Sequence, residues 1–315
     1  MSDLLSTSYL EKKIRDMEML KVKNLKKSFG DKNVLRGLDM SVPEHSIFGF
    51  VGRNGAGKTT TMKAILGLLR GDEGEIYVSG ERVVYGQTAT NRYIGYLPDV
   101  PEFYPFLTAG EYLRLCGECL GMKRSDIEQR SHELLSLVGL SGEKHRIKGF
   151  SRGMKQRLGI AQALFGQPKL LICDEPTSAL DPVGRREILD IILSVREQTT
   201  VLFSTHILSD VERICTDVAL LDNGRIALHG SVDELKRIRR SEEFVVDMVD
   251  TQGAEKLRLA FGDACRGESG TLIFEGDEKK MFEVLDFIRE ARLAIRKIER
   301  PEPSLESLFL EVTNK

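Results

Sequence analysis

Gly52-Arg53-Asn54-Gly55-Ala56-Gly57-Lys58-Thr59 is the stretch on which the reading of this chain turns. It fits the pattern G-x-x-x-x-G-K-[ST]. An unbroken apolar run, Ser46–Gly52 (SIFGFVG), leads into it, and a helical pattern, Thr60–Leu69, leads out. Strand, glycine-rich turn and helix start form the setting that this pattern needs to bind phosphate. Glycines let successive backbone N–H groups converge on an anion where a side chain would block the approach. The helix start adds about half a positive charge. A lysine at position 58 suits the β- and γ-phosphates of a nucleotide, and the Thr59 hydroxyl suits Mg²⁺. The expected cradle is therefore Gly52, Asn54, Gly55, Ala56, Gly57, Lys58, Thr59 and Thr60.

Working outward, three more apolar runs resemble Ser46–Gly52: Leu170–Asp174 (LLICD), Thr200–Thr205 (TVLFST) and Val218–Asp222 (VALLD). Buried runs separated by helical patterns predict an α/β body, with a largely parallel sheet covered on both faces. A first strand pattern begins after Met19. Thr108 to about Gly166 carries helical pattern with no buried run, so a helical insert is expected there. Leu170–Asp174 ends in an acid and Glu175 follows it. Carboxylates are costly beside apolar surface unless they meet cations. Asp174 fits Mg²⁺, and Glu175 fits a base that polarises an attacking water.

Composition limits the alternatives. The 315 residues suit two domains rather than one. Hydrophobic residues make up 41% and charged residues 30%, enough to bury a full core. A net charge of −2 gives no reason to expect nucleic acid as a partner. No run approaches the roughly 20 apolar residues of a membrane span, and Leu10–Lys27 is too charged for a secretory leader. Five scattered cysteines suggest a reducing compartment. Cys116 and Cys119 form a lone CxxC inside a helical pattern, which reads as packing rather than metal or redox chemistry. A charge run at Lys236–Glu243 (KRIRRSEE) marks a boundary, and beyond it a β-α-β-α-β pattern reaches about Glu299.

Over about residues 19–235 the chain resembles the nucleotide-binding domain of ABC proteins. Phe150-Ser151-Arg152-Gly153-Met154 is similar to the ABC signature, commonly LSGGQ, and departs from it at Phe150, Arg152 and Met154. Ser178-Ala179-Leu180-Asp181 is similar to the D-loop, and Ser204-Thr205-His206 to the switch-histidine segment. Phe29 resembles the aromatic residue that stacks on adenine. Asp99 stands where the family usually has a glutamine. Asp99 is shorter and negative but still able to meet Mg²⁺ or its water.

The resemblance implies a P-loop NTPase (RecA-like) sheet core with an ABC-specific helical subdomain at about 100–166, within a nucleotide-binding domain over 19–238. A small C-terminal α+β accessory domain over 244–315 and an N-terminal extension over 1–18 complete the expected organisation. ATP and Mg²⁺ are the implied cofactors. Glu175, His206 and Lys58 are the implied catalytic residues, and Thr59, Asp174 and Asp99 the implied metal ligands. Ser151, Gly153 and Asp181 join the expected nucleotide contacts, and the Ser151–Gly153 segment would serve the site of a second copy or relative in a head-to-tail homodimer or heterodimer. The transmembrane permease subunit would be a separate chain, so this one would sit on the inner face of the cell membrane only through it. Exporter, importer and soluble non-transport members all exist in the family, as would a regulatory ATP-binding module. The tail Pro303-Ser304-Leu305-Glu306-Ser307-Leu308-Phe309-Leu310 resembles ABC-2-type exporter ATPases and favours export. Phe103, Tyr104 and Phe106, in a proline-rich loop after Asp99, are expected to line the groove that receives the membrane subunit.

Overall fold

The structure is a computed structural model that describes residues 18–87, 89–238, 243–267, 270–300, 304–306 and 308–309. The expected N-terminal extension lies outside these residues except for Glu18, as do Pro303, Ser307 and Leu310 of the tail motif. The described residues fall into two compact units, one reaching Val232 and including Phe309, the other covering Asp233–Leu308.

The first unit is built on a six-stranded sheet of β3 (Ile47–Gly52), β6 (Ile94–Leu97), β7 (Leu170–Asp174), β8 (Thr200–Thr205), β9 (Asp217–Asp222) and β10 (Arg225–Ser231). Their order is β10-β9-β3-β8-β7-β6. All neighbours are parallel except the edge strand β10, which pairs antiparallel with β9. Strands β3, β7 and β8 are buried at every residue. Such continuous burial is why they read as unbroken apolar runs rather than alternating ones.

A second, four-stranded sheet was legible in the sequence only as the first strand pattern after Met19. It comprises β1 (Glu18–Phe29), β2 (Lys32–Pro43), β4 (Glu73–Val78) and β5 (Glu81–Arg82), in the order β2-β1-β4-β5, and is antiparallel throughout. Its strands are half-buried, and charged residues interrupt their apolar positions. Helix α1 (Lys58–Ile65) fills the space between the sheets. Leu20, Val22 and Leu38 from the small sheet, Met62 and Ile65 from α1, and Phe48, Phe50 and Ile172 from the large sheet share one core. This clamps the helix that follows the glycine-rich loop from both sides.

The insert is helical as expected: α2 (Ala109–Cys119), α3 (Arg124–Leu137) and α4 (Arg152–Leu164). A capping box between Thr108 and Glu111 starts α2. Cys116 and Cys119 both lie on α2 and form no disulfide. Helices α5 (Pro182–Ser194) and α6 (Leu208–Ile214) flank β8, and α7 (Val232–Ile238) follows β10.

The second unit contains β11 (Glu243–Met248), α8 (Thr251–Phe261), β12 (Cys265–Arg266), β13 (Thr271–Glu275), α9 (Glu278–Glu290) and β14 (Ile295–Glu299). The sheet order is β12-β13-β11-β14, all antiparallel, a split β-α-β-β-α-β arrangement. The sequence pattern lacked β12, because a two-residue strand carries no periodicity. Phe244 stacks on Phe274 with ring centroids 5.1 Å apart, and Leu257, Val284 and Ile288 close the core over them. Among the described residues, no helix is long and apolar enough to cross a membrane.

Candidate active site

The C-terminal ends of β3, β7 and β8 lie side by side, and the segments leaving them carry the chemistry. After β3 the chain turns through Gly55 (φ +82°) and Gly57 (φ +115°), both in the left-handed region that L side chains rarely adopt. At Gly57 a Cβ would also lie 2.7 Å from Leu35 Cδ2. The loop therefore needs glycine there for both its path and its packing.

Lys58 is almost fully buried. Its ammonium donates to the carbonyl of Gly52 at 2.6 Å and lies 3.1 Å from Glu175 Oε1. The Thr59 hydroxyl donates to Asp174 Oδ2 at 2.9 Å, and the Ser204 hydroxyl donates to Asp174 Oδ1 at 2.7 Å. Both oxygens of this buried carboxylate are thus held. Glu175 follows β7 with φ +48°, a conformation that costs a non-glycine residue about 1–2 kcal/mol. Its N–H donates to the carbonyl of Ser204 at 3.1 Å and to the Ser204 hydroxyl at 3.1 Å, which holds the turn in place. Its other carboxylate oxygen, Oε2, lies 2.8 Å from His206 Nδ1.

Asp99 stands at the mouth of the same cleft. Burial holds its carboxyl above the ordinary value, Arg152 opposes that shift, and Asp174 and Glu175 add to it. The cleft has a volume of about 530 Å³. Of the residues singled out from the sequence, Phe29, Asn54, Gly55, Gly57, Lys58, Thr59, Thr60, Asp99, Asp174, Glu175 and His206 line it. Phe29, at the tip of the β1–β2 hairpin, is 50% exposed, with the Lys27 ammonium 5.3 Å from its ring centroid.

The remaining candidates lie elsewhere. Gly52 is buried behind the loop, where its carbonyl anchors Lys58. Ala56 lines an adjoining hollow with Arg53, Asp222 and Asn223. Ser151 caps α4 by accepting from the N–H of Met154 at 3.2 Å, and Asp181 caps α5 by accepting from the N–H of Gly184 at 3.0 Å. Neither lines the cleft within this chain. A Cβ on Gly153 would meet nothing closer than 4.0 Å, so nothing in the chain itself requires glycine there.

The sequence reading missed Ser204 as a support, together with Lys32, Val34 and Ser178 in the lining. Ser204 was visible in the Ser204-Thr205-His206 segment. Its role depends on the register that places it beside Asp174 in the parallel ladder.

The oxygen donors fit a hard cation that keeps water and phosphate ligands. Thr59 and Asp174 are in contact and Asp99 is near, and Mg²⁺ is held in this way in nucleotide sites. Among the described residues no cluster of three or more His, Cys, Asp or Glu forms a stand-alone metal cage.

The family described as "ABC transporter" matches residues 35–178. The "Uncharacterized ABC transporter ATP-binding protein YxlF" of Bacillus subtilis is 36% identical over 307 residues, covering 94% of this chain and all of that protein. The "Bacitracin transport ATP-binding protein BcrA" of Bacillus licheniformis is 39% identical over 226 residues, covering 70% of this chain and 72% of that one. A solved "ATP binding subunit of ABC transporter" superposes with a TM-score of 0.62 at 34% identity, covering 70% of this chain and 92% of the other. With a relative matched along almost its whole length and a cleft of this construction, the chain belongs to the ATP-binding proteins of ABC transporters.

Proposed function

We propose that this ATP-binding transport subunit cleaves ATP at the cleft with Glu175 as general base, and that the cycle drives export through a separate membrane subunit. One observation carries the chemistry. Glu175 lies between Lys58 on one oxygen and His206 on the other, on the same wall as the Thr59–Asp174 contact. ATP entering the cradle competes with Glu175 and the Gly52 carbonyl for Lys58. Once Lys58 turns to the phosphates, Glu175 loses its cation and keeps His206. A carboxylate in that position can accept a proton from a water aligned on the γ-phosphate. His206 holds the carboxylate by its Nδ1 side. Mg²⁺, held by Thr59 and Asp174 with Asp99 nearby, would neutralise phosphate charge. Phe29 offers an exposed ring for adenine.

Ser151 and Gly153 serve a second copy in this reading. Their place off the cleft and the absence of any internal need for Gly153 support that. The direction of transport rests on the bacitracin-transport relative and on the Pro303–Leu310 tail. The test is steady-state ATP hydrolysis by wild type and Glu175→Gln with ATP binding measured in parallel. Loss of turnover with retained binding supports the assignment, and equal turnover removes it.

A further inference from the structure

Two of the places where the sequence departs from the family's motifs are far apart in the chain and meet in the fold. Asp99 replaces the usual glutamine, and Arg152 replaces the usual first glycine of the signature. The Arg152 guanidinium lies 3.5 Å from Asp99 Oδ1. A second residue of α4 fixes the same position from behind: the fully buried Gln156 donates its Nε2–H to the backbone carbonyl of Asp99 at 2.9 Å. Helix α4 also packs hard on this segment. A Cβ at Gly159 would fall 2.5 Å from Leu97 Cδ1 and 3.3 Å from Pro101 Cβ. The backbone of residue 99 therefore follows α4 as one body.

We infer that Arg152 is a positioning residue for Asp99, the two forming a matched exchange: aspartate and arginine together stand in for glutamine and glycine. The reason is charge. The cleft wall already carries Asp174 and Glu175, and Lys58 is engaged by Glu175 and by the Gly52 carbonyl. An aspartate at its mouth adds a third carboxylate where a triphosphate must enter. Arg152 compensates that charge and holds the Asp99 carboxylate at the mouth rather than free to turn. Arg152 follows Ser151 at the start of α4, so one ion pair also ties the chain's own cleft to the segment offered to a second copy.

The inference rests on the cleft being the ATP site, and the experiment separates the two. Equilibrium ATP binding in EDTA is measured for wild type, Lys58→Ala, Asp99→Gln, Arg152→Gly and the double variant Asp99→Gln/Arg152→Gly, at low and high salt. The two side chains are about half exposed, so their coupling is worth roughly fivefold in affinity at most and contributes little to folding. Arg152→Gly should weaken ATP binding by about that factor when residue 99 is aspartate and by much less when it is glutamine. The difference should shrink at high salt, and Arg152→Lys should restore most of it. If Arg152→Gly lowers the melting temperature, Arg152→Gln keeps the stem, removes the charge and is judged by the same criterion. Equal losses in both backgrounds overturn the matched pair while leaving the ATP site standing. Wild type that fails to bind ATP, or binds no better than Lys58→Ala, overturns the site reading and the pair with it.

Discussion

At the scale of single residues, the proposed reaction gives different jobs to groups that touch one another. Glu175 and Lys58 are 3.1 Å apart, yet their variants should fail in different ways. Glu175→Gln keeps the glycine cradle and the lysine, so ATP binding should persist while turnover falls on the order of 10²–10⁴-fold. Lys58→Ala removes the cation proposed for the β/γ-phosphates, so ATP affinity itself should fall. Titration calorimetry with ATP, beside a phosphate-release assay, distinguishes the two. The glycines, Lys58 and Thr59 were legible in the sequence because a phosphate loop is made by consecutive backbone groups, and its chemistry is written in consecutive letters. Ser204 and the Asp99–Arg152 contact were not. Each depends on two segments meeting in space, one through the β7–β8 register and the other through the packing of α4. Both residues of the pair were visible as departures from a pattern, but nothing in the letters says that two departures compensate each other.

At the scale of elements, the turn after Glu175 is tied to the helix after His206 by a buried network that the sequence concealed. Asp210 on α6 is 2% exposed; its Oδ2 accepts from the Thr177 hydroxyl at 2.8 Å and its Oδ1 from Arg185 Nε on α5 at 2.6 Å. The Arg185 guanidinium also donates to the Ser209 hydroxyl at 2.8 Å. Asp210→Ala leaves Thr177 and a partly buried guanidinium without their acceptor. Breaking a buried pair from one side costs about 3–5 kcal/mol, and because Arg185 still reaches water the expected loss is near the bottom of that range. Urea denaturation should show it as a lower midpoint with an unchanged slope. An acid within a helix as short as Leu208–Ile214 reads as surface, which is why this aspartate drew no attention. The same limit hid most of the antiparallel sheet. Its strands mix charged with apolar residues, whereas β3, β7 and β8 are buried on both faces and announce themselves.

At the scale of the whole molecule, the proposed function requires other chains. If Ser151 and Gly153 complete a second copy's site, Glu175→Gln with ATP should sediment as a dimer where the chain without nucleotide is a monomer. Ser151→Arg should block that shift, because its bulk and charge would stand where a γ-phosphate approaches. The proposed docking to a membrane subunit turns on the loop after Asp99. The expectation that Phe103, Tyr104 and Phe106 share one groove divides in the structure. Phe103 packs edge-on against Tyr112 with ring centroids 5.0 Å apart, so it belongs to the insert's own packing. Tyr104 and Phe106 remain 53% and 61% exposed, with centroids 5.8 Å apart, and line a groove of about 450 Å³ with Leu107, Glu111, Arg114 and Leu115. Exposed aromatics beside apolar side chains such as Leu107 and Leu115 are the usual anchors of an interface. Because they are exposed, Tyr104→Ser with Phe106→Ser should leave the melting temperature and ATP binding almost unchanged. Burying each ring against a partner is worth about 2 kcal/mol at a hot spot, so the double variant should lose affinity for the membrane subunit by well over tenfold. Co-purification from detergent-solubilised membranes, wild type beside the double variant, measures it. Undiminished recovery of the membrane subunit with the double variant would place docking elsewhere on the chain.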